Sequence, residues 1–156
     1  IVISRIGARS ITGSATLEMT GVDAVSNDGT GIYVNAGAAA WESGVAICSL
    51  NQVSAMSNSA DGVRFANVAA SGADSAVFQL MNSDAQGNGL NFGWGNGFSF
   101  GDHAASSGGS ATAIFSSDVS VNNDDYGYYF GSAVEDEGGS LTGPSVWINV
   151  TGSVNP

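Results

Sequence analysis

The side chains of this chain that could do chemistry are few and scattered. One histidine (His103) and three arginines (Arg5, Arg9, Arg64) are its basic side chains, and it has no lysine. Abstracting a proton beside a carboxylate would need one of them as the base. Arg64 falls at an outward strand position with Tyr33 as its neighbour by repeat, where a cation–π contact accounts for it. His103, in Gly101-Asp-His-Ala104, falls in the longest loop and reads as solvated. Paired carboxylates would suit glycoside hydrolysis. Asp124/Asp125 and Glu135-Asp-Glu137 sit beside Gly or Asn in turns, with nothing to bring a second acid opposite. Gly97-Phe-Ser-Phe-Gly101 has the spacing of a nucleophile elbow but lacks the strand before it and the helix after it. No catalytic residue is assigned.

The same acidic turns, Asn122-Asn-Asp-Asp125 and Glu135-Asp-Glu137, offer clustered oxygen ligands, which makes Ca²⁺ the one metal to weigh. Neither matches an EF-hand loop, and the Gly-Gly-x-Gly-x-Asp nonapeptide is absent. No other cofactor is expected. The aromatic residues carry more promise. Trp41 and Trp94 fall in loops between strands, and Tyr126 and Tyr129 lie near a turn. Such rings stack on sugar faces, so these four are the candidate glycan-binding residues; the competing reading packs the tryptophans under their own loops. Trp147, between Val146 and Ile148, is read as facing out or covered by a partner. Cys48 is read as a small buried hydrophobe, since a single cysteine makes no intrachain disulfide.

The balance of 14 acidic to 3 basic side chains gives a net charge of -11. That excludes nucleic acid and anionic membranes as natural partners, because both are held chiefly by Lys and Arg. With 43% hydrophobic residues the chain is not a charge-driven disordered one. No run approaches the roughly 18 apolar residues of a membrane-spanning helix. A length of 156 residues suits one domain with a sizeable core. The chain opens at Ile1 without Met, and both ends are expected to continue into further structure.

What must position these groups is a repeat. A Gly followed by alternating apolar residues recurs as Gly31-Ile-Tyr-Val34, Gly62-Val-Arg-Phe65, Gly89-Leu-Asn-Phe92 and Gly127-Tyr-Tyr-Phe130, at intervals of 31, 27 and 38 residues. Asn27, Asn58 and Asn123 each stand four residues before their Gly, while in the third copy the Asn is read as Asn82. A second segment recurs as Ala15-Thr-Leu-Glu-Met19, Val45-Ala-Ile-Cys-Ser-Leu50, Ala76-Val-Phe-Gln-Leu80, Ala111-Thr-Ala-Ile-Phe115 and Val146-Trp-Ile-Asn-Val150. A third short strand ends at Val25, Met56 and Val121, with Ser83 in the corresponding place of the third copy. The added length of the last interval predicts an inserted loop or arm at 93–109.

The alternation is strand periodicity, and no segment keeps a helical period. Strands this short are stable only when stacked, and an Asn at one turn of every coil can form a ladder along the stack. The Asn-x-x-x-Gly-apolar-x-apolar copies resemble the right-handed parallel β-helix repeat family over roughly residues 14 to 150. The resemblance implies an all-β parallel β-helix (β-solenoid) of about five coils, one domain over 1–156, with little or no helix. An antiparallel β-sandwich or jelly roll is the alternative. Bacterial surface adhesins, phage tailspikes and polysaccharide lyases share that fold, so it says little about activity. The expected function is a non-enzymatic extracellular or cell-surface stalk, adhesin or filament subunit. Its expected partners are further copies of itself, end to end or as a trimer, and a surface glycan. A virion fibre or a carbohydrate-active enzyme is the alternative.

Overall fold

A computed structural model describes residues 1–3, 7–9, 13–35, 38–41, 44–71, 75–89, 94–106, 109–131, 133–136 and 140–148. Among them the chain is strand and turn, with no helix and so none long and apolar enough to cross a membrane. The strands recur in a fixed order. The first circuit holds β1 (Val2–Ile3), β2 (Gly7–Arg9), β3 (Ser14–Thr20) and β4 (Asp23–Val25). The second holds β5 (Ile32–Val34), β6 (Ala38–Trp41), β7 (Val45–Asn51) and β8 (Ser54–Met56). The third holds β9 (Val63–Ser71), β10 (Ser75–Met81) and β11 (Asp84–Gln86), and the fourth β12 (Phe98–Ser106), β13 (Ser110–Ser116) and β14 (Val119–Val121). The fifth holds β15 (Tyr128–Phe130), β16 (Ala133–Asp136) and β17 (Ser140–Ile148).

Each strand pairs in parallel with its counterpart one circuit away, which makes three sheets. The first contains β1, β2, β5, β6, β9, β12, β15 and β16; the second runs β17-β13-β10-β7-β3, and the third β14-β11-β8-β4. The described ladders are parallel throughout, from β1–β5 to β13–β17, which excludes the antiparallel sandwich.

Two corners flank the third sheet, and both use one device. A residue with left-handed backbone is followed by one whose side chain points inward. Before the sheet the left-handed residues are Gly21, Gln52, Asn82 and Ser117; after it they are Ser26, Ser57, Gly87 and Asn122. The inward residues after the sheet form the expected asparagine ladder. Asn27 Nδ2 donates to Asn58 Oδ1 (2.7 Å), Asn58 Nδ2 to Asn88 Oδ1 (2.9 Å) and Asn88 Nδ2 to Asn123 Oδ1 (2.8 Å). Each acceptor oxygen also takes the backbone amide of the preceding asparagine, at 3.1 Å in all three steps. The glycine that follows makes room for this ladder. A Cβ on Gly62 would lie 2.8 Å from Asn88 Nδ2 and 2.7 Å from the Gly97 carbonyl oxygen. Asn and Gly therefore recur together because one occupies the space the other vacates.

The ladder corrects the third repeat. Its asparagine is Asn88, and Asn82 instead occupies a left-handed position and donates to Asn51 Oδ1 (3.0 Å). Its glycine is Gly97: Phe98 and Phe100 pair in register with Val63 and Phe65, and then with Tyr128 and Phe130. The true intervals are 31, 35 and 30 residues, from Gly31 to Gly62, Gly97 and Gly127. Gly89-Leu-Asn-Phe92 is not a copy of the strand, and its residues 90–92 lie outside the described ones. The expected arm at 93–109 is mostly sheet, because Phe98–Ser106 pairs with β9. His103 thus sits in a strand opposite Val68 and Ala133, not in a loop. Ser99 is likewise a strand residue, in register with Arg64. In the third sheet the residue aligned with Met56 and Val121 is Gln86, not Ser83.

The core lies between the three sheets. Ile32, Val63, Phe98 and Tyr128 form one buried column of the first sheet, as expected for three of the four circuits. From the second sheet Cys48, Phe78 and Ala113 form another, in which one large ring stands between two small residues. Phe78 meets Phe65 at 4.3 Å between ring centroids and Phe100 at 5.0 Å. Each such ring contributes about 1.5–3 kcal/mol by leaving water. Cys48 is fully buried, and burial pushes its thiol up to about 12, so it packs as a hydrophobe.

Candidate functional site

The outward residues of the first sheet form one row, Tyr33, Arg64, Ser99 and Tyr129, set by the register of β5, β9, β12 and β15. The Arg64 guanidinium lies 6.0 Å from the Tyr33 ring centroid, which is the contact the repeat predicts. Its other partner has no signal in the repeat. Arg64 Nη1 stands 3.8 Å from Oδ2 of Asp61, a carboxylate buried in the turn before β9. Asp61 Oδ1 accepts from the Asn96 amide (2.8 Å) and from Asn96 Nδ2 (3.0 Å), and Asn96 Oδ1 accepts from the Tyr126 amide (3.2 Å). A second polar ladder therefore runs beside the asparagine one. It leads from the Arg64 guanidinium to the aromatic residues of the last circuit.

Those residues make the site. The rings of Tyr126 and Tyr129 stack at 6.3 Å with an interplanar angle of 30°. Tyr129 is exposed on the row's far end. In the circuit before them the spacing from asparagine to glycine changes. Gly97 stands nine residues after Asn88, against four in the neighbouring circuits, so residues 90–94 are an insertion. Its two ends close on each other, because Gly89 and Gly95 are in backbone contact that leaves no room for a Cβ on Gly95. The Gly95 carbonyl then accepts the Asp125 amide (3.1 Å), which returns the chain to the regular stack. Trp94, the last inserted residue, is half exposed (51%). Asp124 and Asp125 are exposed on the adjoining turn.

Of the four candidate aromatic residues, Tyr126 and Tyr129 stack on each other, and Trp94 precedes Gly95, whose carbonyl accepts the Asp125 amide in the turn before Tyr126. Trp41 lies elsewhere. It ends β6 opposite Arg9 and Ser71, at the other end of the first sheet in the second circuit, and its side chain lies outside the described ones. Trp147 stands in register with Phe115, and its side chain lies outside the described ones. A shallow open depression of about 400 Å³ lies at the start of the Tyr33–Arg64 row, lined by Val2, Gly29, Thr30, Tyr33 and Arg64.

The acids divide by environment. Asp61 and Asp118 are buried and bonded to neighbouring circuits. Asp124 and Asp125 face solvent, and among the described residues no three His, Cys, Asp or Glu side chains converge as metal ligands would. Glu135 and Asp136 end β16, and Glu137 lies outside the described residues. What the corner can do is present flat apolar ring faces beside carboxylate acceptors, the two contacts a sugar ring makes. The insertion is legible in the sequence as extra length, but the glycine spacing places it at 93–109, mostly beyond its true position. The constant distance of 12 residues from Ala15, Ala46, Ala76 and Ala111 to Asn27, Asn58, Asn88 and Asn123 is the signal that locates it. No family model, curated protein or solved structure matches the chain.

Proposed function

We propose that this chain is a parallel β-helix, a five-coil solenoid serving outside the cell or on its surface as a non-enzymatic stalk that carries a glycan-stacking corner. The observation that carries the proposal is the insertion at 90–94. It adds five residues between Asn88 and Gly97 and ends at Trp94, next to Gly95, whose carbonyl accepts the Asp125 amide just before the Tyr126–Tyr129 stack. In solenoids, insertions into single repeats are where binding surfaces are built. The remaining chemistry-bearing groups support a scaffold role. Asn58, Asn88, Asp61 and Asp118 are buried and bonded to neighbouring circuits. End-to-end assembly belongs to the same reading. β3 ends the second sheet and β4 the third, and Ala15, Leu17 and Met19 are only partly covered where their counterparts in β7 are buried. That face accepts a further coil, from the same polypeptide or from another copy.

The ligand is a neutral glycan rather than a uronate or sialate, because Asp124 and Asp125 flank the rings and the chain carries a charge of -11. The test is a glycan array read with the wild-type chain and the Trp94→Ala and Tyr129→Ala variants. Neutral glycans bind the wild type, and each variant weakens binding about tenfold, the loss of about 1.4 kcal/mol of ring contact. Binding confined to acidic glycans, or binding that both variants retain, defeats the proposal.

A further inference from the structure

The second sheet has an outer face unlike the rest of the surface. Of the 14 acidic residues only Glu18 lies in its five strands, and it sits in the outermost circuit. The outward residues of β7, β10 and β13 carry no charge and are half covered by their neighbours in the sheet. Its strands keep unbroken register from β3 to β13. Strands of seven to nine residues on five circuits give a footprint of about 23 by 24 Å. Before side-chain relief is counted, that is about 550 Å², two thirds of the roughly 800 Å² each partner contributes to a standard interface.

We propose that two copies of this chain pair through this face, with strands aligned and the second circuit of one set against the fourth circuit of the other. The side chains favour that arrangement. A twofold axis parallel to the strands, over β10, keeps position along the strand and exchanges β7 with β13. Ile47 then faces Thr112, Ser49 faces Ile114 and Val45 faces Ser110, so a larger residue meets a smaller one in each case. On the axis itself Val77 meets its own copy. Glu18 falls opposite the register position of Val146, not opposite a second Glu18. At a charge of -11, most other faces bring acids together, and this one does not. The pairing is independent of the glycan corner and of end-to-end stacking.

Sedimentation equilibrium of the 156-residue chain tests it. The wild type is expected at twice 15.6 kDa, as a closed dimer. Val77→Glu places two carboxylates on the axis and is expected to give monomers with an unchanged circular dichroism spectrum. Gln86→Glu adds the same charge on the third sheet and is expected to leave the dimer intact. Should Val77→Glu fail to fold, Val77→Cys with a short bismaleimide reports instead, since facing sheets lie about 10 Å apart. A dimer crosslinked through the two introduced thiols is the expected product. A wild type at 15.6 kDa throughout, a trimer, or an open series of masses that Val77→Glu leaves unchanged overturns the pairing, as does absence of that crosslink. The open series alone would leave end-to-end stacking standing.

Discussion

The two corners beside the third sheet share a backbone and differ in what they point inward. The later corner repeats one residue, Asn27, Asn58, Asn88 and Asn123. The earlier one changes along the stack, from Val22 and Val53 to Ser83 and then Asp118. Asparagine can repeat because it carries a donor and an acceptor, so each copy satisfies the next. Asn58, for instance, accepts from Asn27, donates to Asn88 and to the Ala24 carbonyl, and is fully buried. The earlier corner grades from apolar to charged. Ser83 Oγ accepts the Val53 amide (3.2 Å), Asp118 Oδ1 accepts the Ser83 amide (2.9 Å) and Asp118 Oδ2 accepts the Ser116 amide (3.0 Å). A carboxylate only accepts, so that series cannot be extended by copying itself. The repeating corner carries cooperativity along the stack, and the graded one sets local conditions.

The largest expected effect breaks the repeating corner. Asn58→Ala strips the acceptor from the Asn27 amide and side chain and the donor from the Ala24 carbonyl. Asn27 is exposed and re-pairs with water, so the cost falls on the buried Ala24 carbonyl and on Asn88 Oδ1, which loses its Nδ2 donor; at about 1–3 kcal/mol for a buried group left unpaired, the loss is about 3 kcal/mol. Val53→Ala, in the neighbouring corner, removes packing alone and costs about 2 kcal/mol. Urea denaturation of the two variants compares them directly. Equal losses would mean that the ladder adds nothing beyond filling space.

The next effect is specific to the graded corner. Burial pushes the Asp118 carboxyl up to about 7 against the two amides that pull it down, and the neighbouring Tyr128 phenol is held above its usual range by its own burial and by Asp118. A raised carboxyl binds its proton more tightly in the folded chain than in the unfolded one. Its contribution to stability is therefore full below about pH 4 and is lost as pH rises through about 7. Between those values the wild type gains at most about 1.4 kcal/mol per unit of acidification from this group. Asp118→Asn removes that slope. Thermal melts of both proteins from pH 5 to 8 measure it, and identical pH profiles would show that Asp118 stays ionised in the core.

Most of the fold was legible because the asparagine ladder and the alternating strands write themselves into the sequence at near-constant spacing. The all-β character, the parallel stack implied by in-order recurrence, the Tyr33–Arg64 contact and the burial of Cys48 follow from that spacing alone. The third repeat was misplaced for a physical reason. Gly89-Leu-Asn-Phe92 and Gly97-Phe-Ser-Phe100 satisfy the same alternation, and only the inward asparagine decides between them. Asn88 was hidden because the insertion separates it from its glycine. The Asp61–Asn96 bond was invisible because it is a contact between circuits that no local pattern records, and the Asp61–Arg64 pair, three residues apart, has no counterpart in the other copies. The aromatic residues were half legible: their types were apparent, but the Tyr126–Tyr129 stack and the closing of the insertion at Gly89 and Gly95 were not.

The smallest effect separates backbone from side chain within the earlier corner. Gln52 and Asn82 hold the same left-handed conformation, with φ of 55° and 50°. That conformation costs a residue with an ordinary Cβ about 1–2 kcal/mol, and less for asparagine. Glycine escapes the cost but brings extra freedom to the unfolded chain. The balance favours Gln52→Gly by about 0.5 kcal/mol. Asn82→Gly gains nothing, since it gives up the bond from Nδ2 to Asn51 Oδ1 as well as a residue already suited to the turn. Matched urea titrations resolve the pair if their slopes agree. A stabilised Gln52→Gly beside an unimproved Asn82→Gly would mean that this corner tolerates a changing inward residue because its left-handed backbone, not its side chains, sets the turn. The reverse order would place that control in side-chain bonds, as in the asparagine ladder.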